Sequence, residues 1–133
     1  MFDRLTPFAP YLHAALRIMA ALLFLEHGLV KFFGWPPAPM PQPPSLMGIM
    51  GVAATIETFG SLLLILGLFT RPAAFVMSGM MAVAYFMAHA SRSFFPIANG
   101  GEGAILFCFI FLFLAAAGPG ALALDNRRKP AAP

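Results

Sequence analysis

Met47–Phe69, MGIMGVAATIETFGSLLLILGLF, is an apolar stretch with a single acid, Glu57, near its centre. About 20 apolar residues cross the hydrocarbon core of a bilayer as a helix, so this run is long enough to span. A carboxylate at the midpoint of such a span costs roughly 3 kcal/mol on insertion scales, which lipid cannot repay. Another part of the protein is therefore expected to face Glu57. At about 100° per residue, Ala53, Gly60, Ser61 and Leu64 share its side of the helix. That side is small enough to admit a neighbouring backbone, so it reads as a helix–helix face with an acid set into it.

The rest of the chain has the same character. Of its 133 residues, 60% are hydrophobic and 10% charged, and the mean hydropathy is +0.84. Those values lie outside the balance of a water-soluble domain. The length accommodates four spans with short connections and leaves no room for a soluble catalytic domain. The expected fold is all-α, a four-transmembrane-helix bundle with spans at about 11–33, 47–69, 73–90 and 102–117. These make up a membrane domain over 1–124, followed by a polar basic tail over 125–133. Pro7 and Pro10 are expected to hold off helix until about Tyr11, Thr70-Arg71-Pro72 to form a tight polar turn, and the tail to fray. The proline-rich GWPPAPMPQPPS is expected to be an extended connection, with Trp35 in the interfacial belt.

The amino terminus lacks the order of a cleaved signal peptide, so the first span is expected to be retained as a signal anchor. Arg4, Arg71, Arg127, Arg128 and Lys129 fall on one side of the expected topology, whereas Arg92 and Lys31 belong to the other. The positive-inside rule then makes both termini cytoplasmic in a multi-pass protein of the bacterial inner (plasma) membrane, with the polar site opening outward. The formal charge of +3 is scattered except at the tail, which suits anionic lipid headgroups and gives no reason to expect nucleic acid. Cys108 is the sole cysteine, so an internal disulfide or a CxxC pair is excluded.

Within the first span, His13, Arg17, His27, Gly28 and Lys31 project to one side, and Glu26 to nearly the opposite side. Glu26 therefore needs a partner of its own or a position near enough to the interface to reach water. Glu57 either handles a proton and hydrogen-bonds a reducible carbonyl, or pairs with Arg17 or a hydroxyl to lock the helices. Arg17 is such a counter-ion, or else snorkels inward. His27 and Lys31, one turn apart, either meet one ligand such as a quinone oxygen or a small oxyanion, or serve a backbone carbonyl and headgroups. Met77, Met81, Tyr85, His89 and Arg92 step along one face of the third span. The pattern Asn99-Gly100-Gly101-Glu102 reads first as a capping box and second as an anion-holding turn, with Glu102 able to pair with Arg92 or Lys31. No metal site is expected, and haem held by His27 and His89 is a minor alternative.

Three stretches, LRIMAALLFLEHGLVKFFGW, IETFGSLLLILGLFTRPAA, and FFPIANGGEGAILF through AAAGPGALALD, resemble the DoxX family of small bacterial membrane proteins. The resemblance implies four membrane helices with cytoplasmic termini. It also implies an association with redox chemistry, since members are linked to quinone-coupled thiosulfate oxidation and to oxidoreductase complexes that handle thiol stress. This chain lacks the paired cysteines of disulfide-forming or vitamin K reducing bundles, so that chemistry is not carried over. The resulting expectation is a quinone-linked or redox-associated membrane subunit working with a redox partner protein, since no side chain here passes electrons by itself. Glu57 and His27 would handle protons, while Lys31, Tyr85, His89, Arg92 and Glu102 line the site. Arg17, Arg71, Asn99, Gly100 and Gly101 are assigned to structure. The alternatives are a non-enzymatic anchor or assembly factor, and a small-solute carrier. The oligomeric state is not legible.

Overall fold

The computed structural model describes residues 2–38 and 46–128, and among them it contains helices and no strand. The chain enters through a 3-10 segment, Phe2–Phe8, that runs into α1, Ala9–Phe33. There follow α2 at Ile49–Leu66, α3 at Thr70–Ala88, the single turn α4 at Pro96–Asn99, and α5 at Glu102–Ala117. α1, α2 and α3 are long and apolar enough to cross a membrane, and α5 is a shorter apolar helix of 16 residues. Part of the proline-rich connection, residues 39–45, lies outside the described residues, as does the tail beyond 128.

Two antiparallel pairs build the bundle. α1 lies along α2, α3 lies along α5, and α2 against α3 joins them. The first pair is close because small residues meet where it crosses: Gly28 of α1 lies against Ala54 and Thr58 of α2. At Gly28 a β-carbon would stand 2.3 Å from Thr58 Oγ1 and 2.9 Å from the Thr58 backbone nitrogen, so the approach admits only glycine. Where α1 meets α5, rings bridge the gap. Phe24 packs edge-on to Phe111 at 4.9 Å and against Phe107 at 5.2 Å between centroids. Leu64, Met77 and Leu114 complete the centre. The outer surface is a mantle of exposed Leu, Met, Val and Phe along every long helix, as lipid-facing surfaces require.

Both ends of the described chain meet at one end of the bundle, where the Ala121 amide donates to the Pro10 carbonyl at 3.0 Å. Here the structure departs from the sequence reading in three places. Helix begins before Tyr11, since Pro10 falls in the first turn of α1, where its missing N–H removes no hydrogen bond. The α2–α3 turn is Gly67-Leu68-Phe69, and Thr70 already starts α3. Gly67 is left-handed (φ 64°) and the Leu68 amide donates back to Leu63 O at 2.9 Å, closing α2 with a Schellman motif. Finally, the chain after α5 does not fray at Asp125. Leu124–Arg127 form a helical turn, and the Asp125 carboxylate accepts from the amides of Phe69 and Thr70, each at 2.9 Å. A residue 55 positions away thus caps α3, supplying an anion at a helix N-terminus whose own sequence offers no capping side chain.

Two arginines secure this end. Arg17 is completely buried and donates to the carbonyls of Pro119, Ala121 (3.4 Å) and Leu122 (2.8 Å). It neither pairs with Glu57 nor reaches water, because the GPG segment folds its carbonyls back over the helix. Arg71 donates to Ala115 O (3.0 Å), Ala116 O and Ala117 O (3.4 Å), meeting the free carbonyls that end α5.

Partial desolvation disfavours the charge on Asp125, but the two amide donors and nearby Arg128 outweigh it, holding the carboxyl below its ordinary value of 3.8. A carboxyl depressed by folding contributes stability above its unfolded pKa and loses it as pH falls through its folded pKa. The natural protein should therefore be more stable than Asp125→Asn at pH 7, with the difference shrinking as the pH is lowered below about 4. Thermal unfolding in detergent across that range measures it.

Candidate functional site

The buried acid finds its counter-charge across the α1–α2 interface. Glu57 is 2% exposed, and Lys31, from the last turn of α1, donates from Nζ to Glu57 Oε1. The helical pitch explains the meeting: Lys31 follows Gly28 on the buried stripe of α1, and Glu57 lies between Ala54 and Ser61 on that of α2. Close contact at Gly28 brings the two backbones near enough for the short carboxylate side chain to be reached.

One face of this ion pair is incomplete. Glu57 Oε2, Thr58 Oγ1 and Ser61 Oγ are all buried without a hydrogen-bond partner among the described residues. They follow one another along a single turn of α2. A buried carboxylate oxygen with an unused lone pair, beside two hydroxyls, can accept a proton or a hydrogen bond from a group entering the interface.

His27 stands at the side of the pair. Its Nδ1 is 3.1 Å from the Leu23 carbonyl, which makes Nδ1 the protonated nitrogen and leaves Nε2 as the free one. The ring is exposed and edge-on to Phe107 of α5 at 6.1 Å. His27 is one helical turn before Lys31 on α1, which sets it beside the Lys31–Glu57 pair with the Phe107 ring at its edge.

The other expected site residues gather elsewhere. His89 Nδ1 meets the Asn99 carbonyl at 3.0 Å, and its ring stacks on Tyr85 at 6.4 Å. Asn99, 2% exposed, donates to the Tyr85 hydroxyl (3.2 Å) and to Ser93 O (2.9 Å), and its Oδ1 accepts from the Gly101 amide at 2.7 Å. Gly101 packs on the Tyr85 ring. The capping-box reading of 99–102 is corrected by this geometry. Asn99 ends α4, left-handed Gly100 follows it, and Gly101 is the N-cap of α5 with no side-chain cap. Asn99 is spent on knitting the 89–101 connection together. Glu102 is exposed in the first turn of α5, where the helix dipole favours it. It pairs with neither Arg92, which is also exposed, nor Lys31, which is held by Glu57.

Sequence reasoning passed over the Lys31–Glu57 pair, for which the signal was the shared buried stripe of Gly28 and Lys31. Thr58 and the Asp125 cap were also missed. So was the Ser78 hydroxyl, which donates to Cys108 O at 2.9 Å and ties α3 to α5. Among the described residues, no three His, Cys, Asp or Glu side chains come together as metal ligands.

Apolar spanning helices in two antiparallel pairs, with an ion pair buried between the first two, define a multi-pass membrane protein. The family model for DoxX matches residues 12–90, which take in most of α1 and all of α2 and α3. A Haemophilus influenzae protein described only as uncharacterized is 47% identical over 130 residues, spanning 94% of this chain and 96% of that protein. The chain belongs to the DoxX family. No solved structure matches it.

Removing one member of a buried ion pair typically costs about 3–5 kcal/mol, whereas replacing both is often neutral. Lys31→Met and Glu57→Gln should each lower stability in mixed-micelle unfolding, and the double variant should recover most of the loss. Additive losses would mean that the two side chains do not interact.

Proposed function

We propose that this DoxX protein is a quinone-linked or redox-associated subunit of the bacterial inner membrane, with both termini cytoplasmic. In this reading a quinone or quinone-like lipid is met by the Lys31–Glu57–His27 group. The observation that carries it is the buried Glu57 carboxylate, engaged by Lys31 through one oxygen and free at the other.

The chemistry fits a quinone oxygen. The Lys31 ammonium is a donor for a quinone carbonyl, and the Glu57 carboxylate at Oε2 and His27 Nε2 accept from a quinol hydroxyl. A planar ring arriving from the lipid side would reach the exposed His27 imidazole first, with the Phe107 ring beside it to stack on. A bound quinone would supply the two-electron chemistry. The chain's part is to hold and orient the ring and to keep a proton at Glu57 Oε2 or His27 Nε2. Electrons pass to a redox partner protein, because none of these side chains carries them. Arg92 and Glu102, exposed near the connections at the end away from the termini, shape the approach, and the Tyr85–His89–Asn99 network keeps that end rigid. The basic residues support the orientation, with Arg4, Arg71, Arg127 and Arg128 at the end where both ends of the described chain meet.

A non-enzymatic anchor is the second reading, favoured by the in-chain partners of Arg17, Arg71 and His89. One experiment separates the two. Protein purified in mild detergent is extracted for quinone and titrated with decylubiquinol by calorimetry. A charge-assisted hydrogen bond is worth about 1.5–3 kcal/mol, so Glu57→Gln should weaken binding by roughly tenfold or more, and His27→Leu should weaken it without disturbing the ion pair. No extracted quinone and no heat of binding for the natural sequence would leave the anchor.

A further inference from the structure

The residue left over by the site is the other acid of α1. Glu26 is exposed on the outer surface of the helix and makes no hydrogen bond or ion pair with any described residue. Its depth follows from the contact at Gly28, which touches Ala54 and Thr58 near the middle of α2. α2 has 18 residues, about 27 Å at 1.5 Å per residue, and Glu26 lies only about 3 Å along α1 from Gly28. It therefore stands roughly 12 Å from either end of a span that just crosses the hydrocarbon core. A glutamate side chain cannot reach water from there, so the route to the interface considered from sequence is closed. Lipid offers it no donor.

A second regularity marks the same surface. Leu12, Ala15, Met19, Leu22, Glu26 and Phe33 are all exposed, and with half-buried Leu29 they recur at alternating steps of three and four residues. That is the seam of a left-handed helix pair, with Glu26 as its one polar member.

We infer that two copies of this chain pair along that seam, α1 against α1, with the two Glu26 carboxyls hydrogen-bonded to each other at its centre. A two-fold axis along the membrane normal sets each side chain opposite its twin at equal depth, which a carboxyl needs and an unrelated surface does not guarantee. A protonated carboxyl is both donor and acceptor, so two of them satisfy one another without a cation. Apart from Glu26, the exposed ionisable side chain in the middle of the described helices is His27, which lies about 100° around α1 and faces Phe107. In lipid an apolar seam alone gives little preference for association, and the polar contact supplies it and fixes the register.

The test uses the full-length chain with Cys108→Ala in liposomes. Met19→Cys places a thiol on the seam and Leu16→Cys places one beside it. Oxidation should link Met19→Cys into dimers well ahead of Leu16→Cys. Interhelical hydrogen bonds in membranes are worth about 0.6–1.7 kcal/mol, so adding Glu26→Leu should weaken dimerisation by about threefold or more, read by dilution in lipid. Glu26→Gln, which still donates and accepts, should preserve it. A monomeric natural protein, equal linking at both cysteines, or a dimer indifferent to Glu26→Leu would each overturn the inference.

Discussion

A charge carried into the hydrocarbon layer has to meet its complement inside the protein, and the α1–α2 interface is built around one such meeting. Lys31 can reach Glu57 because Gly28 lets the two backbones touch at Thr58. The contact at Gly28 also fixes the register of α1 on α2, and α3 and α5 then dock as a second pair. Aromatic rings fill the wider gap opposite, where Phe24, Phe107 and Phe111 stand between α1 and α5. Close approach on one side and spacing on the other follow from one choice, small residues toward α2 and large ones toward α5.

The polar groups of this chain divide by what satisfies them. Arg17 and Arg71 meet main-chain carbonyls and complete helix ends or the returning segment, so their chemistry is structural. Tyr85, His89 and Asn99 satisfy one another and hold a loop. The turn of α2 around Glu57 keeps three buried oxygens without donors among the described residues, Glu57 Oε2, Thr58 Oγ1 and Ser61 Oγ. Local bonding alone does not separate these classes, since His27 and His89 each meet a main-chain carbonyl through Nδ1. The difference is in the neighbours: His89 is enclosed by Tyr85 and the connection, and His27 looks past Phe107 to the lipid.

Much of the architecture was legible in the chain because apolar runs and their breaks follow directly from the bilayer's thickness. The buried face of α2 was also readable, since Ser61 and Leu64 recur with Glu57 at helical spacing. What was not legible were contacts between residues far apart in sequence. Nothing near Thr70 announces that Asp125 will cap it, and nothing near Arg17 announces carbonyls more than 100 positions later. The Asn99 pattern misled for a local reason. Asn followed by two glycines satisfies a capping rule and a turn equally well, and the preceding Pro96 placed the asparagine at a helix end instead of a helix start. In the same way, helical projection put Arg17 and Lys31 on one stripe but could not say that they serve opposite ends of the bundle.

The Arg17 clasp also bears on how the protein is made. Its acceptors at Pro119, Ala121 and Leu122 leave the ribosome long after the first helix has entered the membrane. Throughout synthesis of the middle of the chain, α1 carries a guanidinium whose final partners do not yet exist. Nascent α1 therefore depends on water, headgroups or the insertion machinery to shelter that cation. Release from this dependence comes only with the last dozen or so described residues, so translation that stops short of them leaves α1 with a cation that its own chain cannot match.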